Sequence, residues 1–173
     1  MKRFAAGWEQ HRDALLGFLD KALRAPATVL EIGAGTGQHA AYFAARMPSI
    51  MWIPSETDSA LVDSIATWRA EAALPNLRPP LALDTKSDDW GAPVVSAIVA
   101  IDFVPVVPWA ATVGLLNGAA RTLFPGGDLH VSGRFADEKL AELQRVAKSR
   151  GLEPKGDQDL GGAGRFLTFR FRV

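Results

Sequence analysis

Apolar positions along this chain recur at two periods, one helical and one extended, and the two alternate from end to end. Trp8, Leu15, Phe18, Leu19, Ala22 and Leu23 fall on one face of a helix that Pro26 ends. Residues 29–32 do not alternate apolar with polar, which predicts a strand covered on both sides. The chain then turns through Gly33, Gly35 and Gly37. Ala40, Ala41, Phe43, Ala44 and Met47 resume helical spacing as far as Pro48. A second strand spans 50–53 and ends near Pro54 and Ser55, and Asp58 is placed to cap a helix carrying Leu61, Val62, Ile65 and Trp68. Pro79 and Pro80 precede a short third strand at 81–83, and two prolines put it at a sheet edge.

The second half repeats the scheme. Residues 94–101 form its clearest strand, and Trp109, Val113, Leu116, Ala120 and Leu123 make the next helical face, stopped by Pro125-Gly126-Gly127. A fifth strand covers 129–131. Asp137 opens a helix holding Leu140, Leu143 and Val146, closed by Gly151. From Gly151 to Arg165 the sequence is polar and glycine-rich, and it predicts only a weak strand or a loop. The tail sets Leu167, Phe169, Phe171 and Val173 against Thr168, Arg170 and Arg172, the pattern of a half-exposed strand. Strands alternating with helices predict an α/β fold, one doubly wound and mostly parallel sheet with helices on both faces, as a single domain over 1–173.

Charge and composition narrow the partners. The 173 residues carry 19 Lys and Arg against 19 Asp and Glu, with no basic stripe, which argues against nucleic acid as a partner. The absence of cysteine excludes disulfides, a thiolate nucleophile and a cysteine-bound metal. His11, His39 and His130 stand on separate elements without ligand spacing, so no metal is expected. The first residues lack the apolar core of a signal peptide and no run is long enough to span a bilayer. A cytoplasmic protein with no membrane partner is therefore the expectation.

Ligands of doubly wound sheets sit at the carboxyl ends of the strands. Those ends carry Glu31 with its glycines, then Ser55 and Glu56, then Asp84, then Asp102, one carboxylate from each of four successive strands. A strand that breaks at glycines and feeds a helix brings bare backbone N–H groups to a ligand, the mark of a nucleotide-like cofactor site. A dinucleotide fingerprint, G-x-G-x-x-G counted from Gly33, needs its third glycine where Gln38 stands, which disfavours a nicotinamide dehydrogenase. No arginine or lysine flanks the turn to clamp a phosphate.

The segment VLEIGAGTGQH (29–39) resembles motif I of the class I S-adenosylmethionine-dependent methyltransferases. That fold is Rossmann-like, a mostly parallel seven-stranded sheet with an antiparallel C-terminal strand. The resemblance implies that Gly33, Gly35 and Gly37 admit the cofactor to the backbone and that Glu31 lies beneath it near its amino group. It further implies that Glu56, preceded by Ser55, accepts the ribose hydroxyls, that Asp84 takes the adenine amino group, and that Asp102 lies near the sulfonium or the substrate. More closely, EIGAGTGQHA (31–40), WIPSETD (52–58), LPNLRPPLALD (74–84) and VPWAAT (107–112) resemble a small methyltransferase-like domain-of-unknown-function family of the methyltransferase-like 26 type. The likeness runs over about 6–133. The family pattern has an Asn and a His near the fourth strand end, where this chain has Asp102 and Pro105. It also has a long segment after the fifth strand, which this chain replaces with Ser132-Gly133-Arg134-Phe135.

Methyl transfer from a sulfonium is an in-line displacement that needs positioning, and a base where the acceptor loses a proton. Asp102 is the candidate catalytic group, and His11, Phe103 and Trp109 are candidates to line a small-molecule substrate pocket. His39 is placed either to bond near the cofactor or to brace the turn, and His130 reads as a core histidine. A non-catalytic protein that holds S-adenosylmethionine or its demethylated product is the alternative. The methyl acceptor and the oligomeric state stay open at this point.

Overall fold

The computed structural model describes residues 1–172. Its strands are β1 (Ala27–Ile32), β2 (Ile50–Glu56), β3 (Leu81–Ala82), β4 (Val95–Ile101), β5 (Leu123–Gly133), β6 (Leu152–Asp159) and β7 (Arg165–Phe171). The helices are α1 (Arg12–Ala22), α2 (Gln38–Arg46), α3 (Ser59–Ala72), α4 (Trp109–Thr122) and α5 (Asp137–Lys148), with a short 3-10 turn at Trp8–Gln10 ahead of α1. All seven strands join one sheet in the order β3-β2-β1-β4-β5-β7-β6. Only β7 runs against its neighbours, inserted between β5 and β6 and antiparallel to both. This is the expected doubly wound sheet with its antiparallel C-terminal strand.

Each face of the sheet buries its own apolar layer. On one side Leu15 and Leu19 of α1, Phe43 of α2 and Trp52 of β2 pack with Val29, Val99 and Phe166. On the other, Leu115 and Leu116 of α4 and Leu143 of α5 pack on Leu30, Ile98, Leu129 and Leu167. The central strands β1 and β4 are covered on both faces, which is why they read as unbroken apolar runs.

Three expectations are corrected. Strand β2 extends beyond the expected 50–53 and ends at Glu56, so that Pro54 and Ser55 lie inside it, with Pro54 opposite Glu31. Trp52 turns both its N–H and its C=O outward, to Asn76 and Arg78, and Pro54 two residues on faces the same way. Strand β3 begins only opposite Ser55, so no neighbour needs the N–H that Pro54 lacks. Second, Pro125-Gly126-Gly127 does not merely stop a helix. Helix α4 ends at Thr122 and β5 starts at once, and those residues form a bulge between the pairs Val95–Leu123 and Ala97–Asp128. Third, the polar stretch after Gly151 is a full strand. As the outer edge, β6 is exposed from Pro154 to Asp159 and shows no alternation, and its order comes from backbone pairing with β7.

The sheet edges explain two of the distinctive sequence stretches. In LPN-x-RPP, Asn76 is buried and its amide donates to the carbonyls of Ala44, Met47 and Ile50, at 2.9, 3.1 and 2.9 Å, tying the end of α2 to the start of β2. In α4, a Cβ on Gly114 would meet the Thr85 carbonyl oxygen at 2.4 Å, and one on Gly118 would overlap the Trp90 ring. The two glycines let the loop after β3 lie flat on the helix, where the Thr85 hydroxyl donates to the Ala111 carbonyl.

Candidate cofactor site at the glycine turn

The carboxyl ends of β1 and β2 meet at the glycine turn. Gly37 caps α2 in the left-handed region at φ 94°, and a Cβ there would come within 2.9 Å of the Ile65 Cα, so only glycine lets α3 approach the turn. Gly35, at φ 57°, is different: no atom lies within 4 Å of where its Cβ would stand. Its neighbourhood is an open cradle, and its N–H donates to Glu56 Oε2 at 3.0 Å. The other Glu56 oxygen accepts from the Thr57 N–H at 2.8 Å. Beside Gly33 the space is taken by Phe103, whose ring carbon lies 2.6 Å from the position of a would-be Cβ.

Glu31 is 2% exposed, and its carboxyl accepts from the Trp52 indole at 2.7 Å. Burial pushes its pKa up to about 7, the indole bond pulls it back, and the nearby Glu56 carboxylate raises it further. Among the described residues no lysine, arginine or histidine lies close enough to offset it. Two carboxyls thus share one small space without a cation of the chain's own.

The remaining candidates divide. Ser55 is fully buried, and its hydroxyl donates to the Glu31 carbonyl oxygen at 2.6 Å, bracing β1 against β2. Asp84 stands next to this rim, since the Leu83 N–H donates to the Glu56 carbonyl. Its carboxylate, however, is turned to the Lys86 N–H at 2.9 Å and ammonium at 3.7 Å. Asp102 has φ 50°, uncommon for a residue with a side chain, and its N–H donates to the Ser132 carbonyl at 3.0 Å. Burial raises the Asp102 pKa, while His39, His11 and Arg134, each within electrostatic reach of its carboxyl, pull it down. The Trp109 ring packs toward α5 beneath the Lys139 ammonium, 4.1 Å away.

The N-terminal segment lies across the turn, which the sequence did not reveal. Buried Gln38 accepts from the Ala5 N–H and the Thr36 hydroxyl, and Ser64 accepts from the Arg3 N–H while donating to the Thr36 carbonyl. Trp8 offers its carbonyl to His39 at 3.3 Å, and its ring packs T-shaped with those of His39 and Tyr42. The residue that breaks the dinucleotide spacing therefore latches the chain's own first residues. Spacing along the chain gives no signal for Arg134, nor for Trp52, whose indole meets Glu31 from the adjacent strand.

A family model described as a protein of unknown function, DUF938, matches residues 2–142. The chain belongs to this family. Among solved structures, it is similar to a methyltransferase from Pyrococcus furiosus, at 17% identity and TM-score 0.80, over 100% of this chain and 89% of that one. A TehB-like SAM-dependent methyltransferase from Corynebacterium glutamicum matches at 17% identity and TM-score 0.74, over 97% and 91% of the two chains. The [4+2]-cyclase SpnF matches at 20% identity and TM-score 0.76, over 99% and 85%. The DUF938 chain shares the Rossmann-like methyltransferase fold, and that fold also serves a cyclase.

Proposed function

We propose that this DUF938 protein is an S-adenosylmethionine-dependent methyltransferase of the methyltransferase-like 26 type, acting on a small molecule. One observation carries the reading. Glu31 and Glu56 are two unneutralised carboxyls beside an open glycine cradle, and the missing partner is a cation with hydroxyls. Glu31 would hold the cofactor's amino group, Glu56 the ribose hydroxyls through its free lone pairs, and Gly35 the close backbone approach. Asp84 would need to release Lys86 before taking the adenine amino group. S-adenosylmethionine, when bound, supplies a methyl group on a sulfonium, an electrophile with a good leaving group.

The chain's own work on the acceptor falls to the end of β4. Asp102, its basicity increased by burial and its backbone set by the Ser132 bond, takes the acceptor's proton with His39 alongside. His11, just ahead of α1, and Arg134, just after β5, orient the substrate, and Phe103 supplies an apolar wall next to Gly33. Soluble, cytoplasmic action without nucleic acid fits the balanced charge; among the described residues no helix is long and apolar enough to cross a membrane.

Calorimetric titration with S-adenosylmethionine, S-adenosylhomocysteine and NAD tests the cofactor. Binding of the first two without the third is expected, and no binding of S-adenosylmethionine at millimolar concentration would overturn the proposal. Release of S-adenosylhomocysteine in the presence of metabolite pools, followed by mass spectrometry, tests turnover. The second reading, a binder without methyl transfer, is favoured by the short passage from β5 to α5 and by the cyclase on the same fold. Cofactor binding with no release under any pool would establish it.

A further inference from the structure

Away from the glycine turn, the strands β5, β7 and β6 carry a recess that α1 overhangs. It has a volume of about 240 Å³ and adjoins a second of about 270 Å³; Ala22, Arg24, Asp128 and His130 line both. His130 forms the floor. It is 1% exposed, its Nδ1 lies 3.0 Å from the Thr168 hydroxyl, and its Nε2 is buried with no hydrogen-bond partner among the described residues. Phe18 holds the ring edge-on from α1, itself stacked on Phe166 at 4.0 Å. An orphaned ring nitrogen beside a space large enough for a ligand calls for a partner.

The walls say which kind. Lys21, Arg24, Lys155 and Arg170 line the two recesses against a single acid, Asp128. That acid is already taken, by Arg170 through two bonds of 2.9 Å and by Lys155 at 3.3 Å. Lys21 and Arg24 have no ion pair among the described residues, and both stand in or just after the last turn of α1, over the opening. Burial drives the His130 pKa down to about 4; Asp128 raises it and Lys155 and Arg170 lower it, so the ring is neutral at pH 7. With Thr168 on Nδ1, Nε2 is the one hydrogen-bonding atom of the neutral ring left without a partner among the described residues, in a side chain that lines a cationic hollow.

We propose that this recess is a second ligand site, for a small oxyanion, either a carboxylate or a phosphate monoester. His130 Nε2 donates to it from the floor, and Lys21 and Arg24 close over it. The site is independent of the cofactor reading.

The test is a titration of the full chain with inorganic phosphate and, separately, benzoate at constant ionic strength, followed by side-chain histidine nitrogen shifts and backbone amides. A saturable shift of His130 Nε2 together with the Gly156 and Thr168 amides is expected, with His39 and His11 unmoved. Lys21→Glu and Arg24→Glu, both on exposed positions, are each expected to weaken it roughly tenfold. Whichever probe saturates first names the anion class. A linear drift shared by wild type and variants, or saturation that leaves His130 unmoved, would overturn the site and leave ions on surface lysines.

Discussion

Glu31 and Asp128 are carboxyls on the same sheet, one at the carboxyl end of β1 and one in the middle of β5, and their surroundings drive them in opposite directions. Both lose solvent on folding. Glu31 has an indole for compensation and a second carboxylate nearby, and its pKa climbs to about 7. Burial pushes Asp128 up as well, but the Arg170 bond, Lys155 and the charge on Arg170 outweigh it and hold it below the ordinary range. Burial alone therefore does not tune an acid; the presence or absence of a cation decides the sign. The region that lacks its cation is the one a cationic ligand completes. Its counterpart around Asp128 has cations to spare and is suited to an anion.

Four experiments sharpen or break this contrast. Trp52→Ala should have the largest effect, because it empties a fully buried indole site and strips Glu31 of its donor. A loss of about 3–5 kcal/mol in chemical denaturation is expected. Trp52→Phe should cost clearly less; an equal loss would show that the bond to Glu31, rather than packing, dominates.

Next comes the pH response. Because the Glu31 pKa in the fold is raised from 4.5 to about 7, its contribution to stability is fully present below pH 4.5 and fades as pH rises through 7. Glu31→Gln should abolish that decline, and at pH 8 the unliganded variant should exceed wild type by up to about 3 kcal/mol. A wild-type stability that is flat from pH 4.5 to 8 would contradict the unneutralised carboxyl pair.

Glu56→Ala removes the acceptor of the Gly35 N–H and the proposed ribose partner. Calorimetry should show S-adenosylmethionine bound roughly one to two orders of magnitude more weakly. Unchanged affinity would move the ribose elsewhere.

The smallest effect belongs to Asp128→Asn, about 1 kcal/mol at neutral pH. Its lowered pKa means that the wild-type advantage is present above the usual carboxylate range and disappears as pH falls through it. His130, lowered from 6.5 to about 4, adds to the acid sensitivity of the same region. Mild acid should thus loosen the β5–β7–β6 side while favouring Glu31, a contrast that hydrogen exchange at two pH values resolves.

The sheet was legible in the chain because its strands and helices differ in period and because β1 and β4 are buried on both faces. The edges were not. Strand β6 is polar on both sides, and its order comes from the antiparallel hairpin it makes with β7; β5 crosses a Pro-Gly-Gly bulge, and its order comes from β4 and β7, farther away along the chain. At the site, the glycines and the acids Glu31 and Glu56 could be named from spacing, since a strand, a tight turn and a helix follow one another directly. Ser55 could be named too, yet the fold uses its hydroxyl as a brace.

Local sequence by itself determined where backbone N–H groups lie bare and which strand ends bear acid, because those follow from residues a few positions apart. Tertiary structure alone decided what each acid meets: Trp52 against Glu31, Lys86 against Asp84, and Arg170 against Asp128 across β5 and β7. It also brought Gln38 to the first residues and left His130 Nε2 without a partner, among the described residues, in the floor of a cationic hollow. The physical reason is that ionisation and hydrogen bonding depend on neighbours within a few ångströms, and in a wound sheet those neighbours come mostly from other strands.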